Sequence, residues 1–80
     1  MLEVNDFVVV IGYYGDTWIN GEFKRLRIGD VGVVMKLGEG GLFPTVYVYW
    51  YNGELNCEEA EVLENGLEKI SFKELIARLS

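Results

Sequence analysis

The stretch Thr45-Val46-Tyr47-Val48-Tyr49-Trp50-Tyr51-Asn52-Gly53 decides how the chain is read. Successive side chains of a strand point to opposite faces. Val46, Val48 and Trp50 therefore share one face, and Tyr47, Tyr49 and Tyr51 share the other. The aliphatic face with its indole is fit to fill a core. Asn52-Gly53 then predicts a tight type I′ hairpin turn, because both central residues of that turn need positive φ. Three amphipathic rings on the second face need a cover, since each buries about 150–250 Å² when packed.

Working outward, residues 4–11 are β-rich, introduced by Asn5-Asp6 and stopped by Gly12, and predict the first strand. The connection 12–28 holds Tyr13, Tyr14, Trp18, Ile19 and Phe23, which is too aromatic for an idle loop. Such a loop packs on its own domain or binds something. Part of it predicts an irregular hairpin turning at Asn20-Gly21. Gly29-Asp30-Val31-Gly32 leads into a second strand with Val33, Val34, Met35 and Leu37, and the glycines of 38–41 make a turn. Pro44 opens the third strand, where its missing N–H does no harm. A short fourth strand is expected at 54–56, a single helical turn at 57–60, and a fifth strand at 61–64 with Val62 and Leu63 as core candidates. Ser71, three residues before Glu74, fits a capping box. Phe72, Leu75, Ile76 and Leu79 follow at the spacing of one helical face. A helix this short is marginal alone in water, so it must dock on the rest of the fold or on a partner.

The 80 residues make one small domain with a formal charge of −6. That balance repels phosphate backbones. Cys57 is the only cysteine, so an internal disulfide is excluded and a reducing compartment is expected. No apolar run is long enough for a membrane span, and the chain is read as cytoplasmic.

Catalysis is not expected, and neither is a cofactor or a metal. The chain has no His, the one side chain whose unperturbed pKa lies near neutrality. Cys57 stands among Glu54, Glu58, Glu59 and Glu61, whose charge disfavours a thiolate. The run from Asp16 to Gly21 partly mimics a calcium loop. It fails at its third position, Trp18, and at its twelfth, Arg27. Gly38-Glu39-Gly40-Gly41 lacks the Lys and Ser/Thr of a phosphate loop.

Lys24, Arg25 and Arg27 form the one basic cluster, flanked by Trp18 and Phe23. Such a set could stack and neutralise single-stranded nucleic acid. At this net charge, pairing with Glu22, Asp30 and the acids of 54–64 is favoured over phosphate contact. The acidic run Glu54, Glu58, Glu59, Glu61, Glu64 and Glu68 reads as a wet face that guards short edge strands, as a complement to a basic protein surface, or as mimicry of nucleic-acid charge. For the tyrosine face two covers stay open, the helix 72–79 or another molecule.

Asp6-Phe7-Val8-Val9-Val10 resembles the opening strand of KOW-type and related SH3-like small barrels. Gly29-Asp30-Val31-Gly32-Val33-Val34 resembles their G-x-x-G-x-V, and Val46, Val48, Trp50, Asn52 and Gly53 resemble their V-x-V-x-W-x-N-G. Leu63-Glu64 is similar to the closing strand after a helical turn. The resemblance implies a mainly β, five-stranded SH3-like barrel over residues 1–66, with 67–80 as an appended C-terminal helix. By it Val8, Val10, Val34, Val46, Val48, Trp50, Val62 and Leu63 face the core. The long aromatic loop and the helix depart from ordinary KOW units. The chain also resembles small acidic accessory proteins of phage genomes, which implies an inhibitor or modulator of a host protein machine. Barrels of this kind bind proteins, peptides or nucleic acid, or brace larger assemblies. The function expected first is a non-enzymatic protein-interaction module whose partner is another protein. Its contact residues would be Tyr13, Tyr14, Trp18, Phe23, Tyr47, Tyr49 and Tyr51. The alternatives are nucleic-acid contact through Lys24, Arg25 and Arg27, or a structural brace.

Overall fold

Strand β1 (Phe7–Val10) holds three consecutive buried valines, because it runs through the interior of a sheet with both faces covered. A computed structural model describes residues 1–12, 21–39 and 41–80, and of 13–20 only the strand backbone Asp16–Ile19. The elements that follow are β2 (Asp16–Ile19), β3 (Glu22–Arg25), β4 (Val31–Leu37), β5 (Thr45–Trp50) and β6 (Glu59–Leu63). A 3₁₀ turn (Glu64–Gly66), β7 (Leu67–Ile70) and helix α1 (Phe72–Leu79) complete the described chain. The fold is mainly β, as expected. Five strands pair antiparallel in the order β6-β5-β4-β1-β7, and β2 and β3 form a separate hairpin.

The parity read from β5 holds. Val46, Val48 and Trp50 are fully buried, beside Val8, Val10, Val34 and Val62 on the same face. Leu2, Leu26 and Leu55 reach in from the N-terminal segment and two loops to close this core. Each fully buried aliphatic side chain contributes roughly 1.5–3 kcal/mol. Gly32 stands opposite Trp50 in the ladder, and a Cβ there would lie 2.6 Å from Val48 Cγ1 and 3.1 Å from Trp50 Cε3. The missing side chain makes room for the indole.

The second face is covered by α1 along one half only. Ser71 caps the helix, its Oγ accepting from the Glu74 N–H at 3.1 Å, as the capping box predicts. Leu75 packs on Val9, Val31 and Ile70, with Phe7 and Tyr51 at the margin. The Phe72 ring lies 5.7 Å from that of Phe7.

Several boundaries differ from expectation. The first strand is shorter than 4–11, because Asn5 takes a positive φ of 76° and turns the chain. Asn52-Gly53 is not a type I′ turn, since Gly53 has positive φ and Asn52 does not. Asn52 is held otherwise, its Oδ1 accepting the Val31 N–H at 2.9 Å. The loop then runs on until the Trp50 N–H donates to the Glu58 carbonyl. Residues 54–56 are therefore turn and not strand, with Leu55 fully buried. No helical turn forms at 57–60. The helical turn is the 3₁₀ turn, and the strand expected at 61–64 is β6, which starts earlier at Glu59. Of its two core candidates Val62 is buried and Leu63 is 40% exposed. The sheet also does not end at residue 66: Leu67–Ile70 pairs with β1 before the helix begins. β2 and β3 do pair as a hairpin through Ile19 and Glu22, with Gly21 at a φ of 80°, while Asn20 of the expected turn lies outside the described residues.

Candidate functional site

The half of the outer face that α1 leaves open is built by β4, β5 and β6. Their register makes two cross-strand rows: Lys36, Tyr47 and Glu61 in one, Val33, Tyr49 and Glu59 in the other. A bulge between Val34 and Lys36 brings the lysine into the first row, and its Nζ lies 4.5 Å from the Tyr47 ring centroid. That is a cation–π contact. Tyr49 and Tyr51 meet edge-on at 5.7 Å between ring centroids and 72° between planes. All three tyrosines are half-buried, while Glu59 and Glu61 are exposed. Glu61 Oε2 accepts from the Thr45 hydroxyl at 2.6 Å, which fixes that carboxylate beside the rings.

The helix covers little of this tyrosine row. Only Tyr51 joins the Leu75 cluster, and Phe72, Ile76 and Leu79 remain exposed. Cys57, exposed and at a φ of 67°, sits against Tyr49, the middle ring of the row. The hydrogen bond shared with Cys57 pushes the Tyr49 phenol above its ordinary pKa. The charge Cys57 carries when ionised, burial and Tyr51 act in the same direction.

The expected contact loop is only partly described. Tyr13 and Tyr14 lie outside the described residues, as does the side chain of Trp18, whose backbone pairs with Phe23. Phe23 itself is 60% exposed.

The basic cluster is engaged with the acidic loop. Lys24 Nζ meets Glu58 Oε2 at 2.6 Å with both side chains mostly covered, and Arg27 Nη2 meets Glu54 Oε2 at 3.2 Å. The Arg25 N–H donates to Glu54 Oε1 at 3.3 Å. The hydrogen bond to Glu58 raises the Lys24 pKa first of all. Burial opposes it, and the charges of Glu58, Glu22 and Glu54 add to it. These contacts dock the β2–β3 hairpin on the loop 51–58. Among the described residues no three acids, thiols or imidazoles gather as metal ligands. Among them, too, no helix is long and apolar enough to cross a membrane.

One feature was not anticipated from the sequence. A cavity of about 700 Å³ opens along the outer edge of β7, walled by Met1, Leu2, Phe43, Pro44 and Leu67. Phe43, an aromatic residue just after a glycine loop, was the available signal. Comparison of the chain with protein-family models, with curated proteins and with solved structures returns no match.

Proposed function

We propose that this chain is a non-enzymatic protein-interaction module, an accessory or inhibitor subunit of SH3-like architecture. Its contact face would be the row of Tyr47, Tyr49 and Tyr51 together with Glu59 and Glu61. One observation carries the reading: α1 covers the β1–β7 half of the outer face, and the tyrosine rows of β4, β5 and β6 stay beyond it. Half-covered tyrosines beside carboxylates match interface composition, where rigid aromatic rings anchor and polar groups orient. The SH3-like assignment is supported by the long first connection, the five-stranded antiparallel main sheet and the 3₁₀ turn before its last strand, β7.

The nucleic-acid alternative is weaker. Lys24 and Arg27 are paired with Glu58 and Glu54, so phosphate contact would have to break both ion pairs. The test is affinity capture with the parent chain and with a Tyr47→Ala/Tyr49→Ala double variant whose fold is verified by circular dichroism. A partner retained by the parent and lost by the double variant is expected. Equal capture by both refutes this face.

A further inference from the structure

We infer that the edge of β6 at Glu59 and Glu61 receives a basic, extended segment of the partner protein, added to the sheet as a further strand. The inference rests on the interaction reading above and names its ligand chemistry. β6 is an edge strand of the sheet. The Glu64 N–H donates to the Pro44 carbonyl and the Trp50 N–H to the Glu58 carbonyl, so the even-numbered residues of β6 face β5 in the ladder. Alternation then turns the N–H and C=O groups of Glu59 and Glu61 outward, to where an added strand would pair.

The side chains say what that strand carries. An added residue opposite Glu61 lies about 4.5–5.5 Å away, Cβ to Cβ, and its diagonal neighbour is within reach of a long side chain. The row Lys36, Tyr47, Glu61 already alternates cation, ring and carboxylate, and a cation continues it. The row Val33, Tyr49, Glu59 ends on a second carboxylate and asks for the same. Lysine or arginine at every second position satisfies both rows. A second copy of β6 does not, because antiparallel self-pairing centred on Glu61 sets that carboxylate against itself. Like charges directly opposite are destabilising. The same residues therefore refuse self-association and admit a basic strand.

The probe is an end-blocked decapeptide alternating lysine and threonine, titrated into the full isotope-labelled chain at low salt. A glutamate–threonine decapeptide is the control. Expected are saturable NMR shifts at Tyr47, Tyr49, Glu59 and Glu61, with slowed amide exchange at Glu59 and Glu61. Glu59→Gln and Glu61→Gln should each weaken binding by up to about fivefold. A lysine peptide that shifts the tyrosines but leaves those two amides in fast exchange overturns strand addition, and the tyrosine-face reading survives. Equal binding of both peptides, or of the parent and both Gln variants, overturns the basic ligand. A concentration-dependent dimer that protects the same amides without peptide gives the edge to a second copy and also overturns it. Silence towards the lysine peptide, while the parent still captures a tyrosine-dependent partner, overturns this inference alone.

Discussion

Trp50 is fully buried, and among the described residues its indole Nε1 has no hydrogen-bond partner. Replacing it by Phe separates two effects that truncation to Ala mixes. Trp50→Phe gives up about 40 Å² of apolar contact and leaves about 40 Å³ empty, about 1 kcal/mol each at the usual coefficients. It also removes a buried, unpaired N–H, whose desolvation costs about 1–3 kcal/mol. The two sums nearly cancel, so Trp50→Phe is expected within about 1 kcal/mol of the parent, against about 3–5 kcal/mol lost by Trp50→Ala. The assay is urea unfolding followed by far-ultraviolet circular dichroism, a signal that does not depend on the indole. For a chain of this size the urea slope is about 1 kcal/mol per M. Trp50→Phe should then move the midpoint by less than about 1 M and Trp50→Ala by about 3 M or unfold the chain outright. A Phe variant as damaged as the Ala variant would refute the orphaned N–H as an energetic feature.

Gly53→Ala should destabilise by about 2–4 kcal/mol, from left-handed backbone strain together with a lost charged hydrogen bond. Gly53 has a φ of 79°, and its new Cβ would stand 2.5 Å from Asp30 Oδ2, the acceptor of the Arg27 N–H. A thermal melt within a degree or two of the parent contradicts this. Ser71→Ala removes the cap of α1 and should cost about 1 kcal/mol, with Ser71→Asp restoring it, as read from urea midpoints. An alkaline loss of stability is also expected. Lys24 and Tyr49 both hold their protons more tightly in the folded chain. Their contribution is complete below the unfolded values, about pH 10, and is lost as pH rises through the folded ones, where the native state binds more protons than the unfolded. Urea midpoints at pH 9 and 11 in the parent and in Lys24→Met and Tyr49→Phe measure it; variants with an unchanged slope would refute the assignment.

Much of the fold was legible where one physical rule acted alone. The alternation of Val46 to Tyr51 gave the faces of β5, and Ser71 with Glu74 marked the start of α1. β7 was illegible for a specific reason. Its two buried residues, Leu67 and Ile70, face opposite sides: Leu67 joins the main core and Ile70 lies under the helix. Buried positions three apart imitate a helical face, and the strand was read as part of the helix segment. Asn52-Gly53 misled because the Asn side chain is used by the Val31 N–H of a neighbouring strand, a contact that local sequence does not announce. Of the candidate site, the tyrosine row was visible in the sequence. Its glutamate partners were visible only as an undirected acidic run, because cross-strand register decides which acids meet which rings. Lys36 entered the site through a bulge that no turn residue marks.

The place of β1 between β4 and β7 has a consequence for biogenesis. Phe7 pairs with Ile70, so β1 is synthesised more than sixty residues ahead of the strand that completes its pairing. Contacts this distant slow folding. While a nascent chain still lacks Leu67, β1 has a bare hydrogen-bonding flank, a template for pairing with neighbouring chains. Premature termination anywhere before that point should yield an aggregation-prone product instead of a smaller working domain.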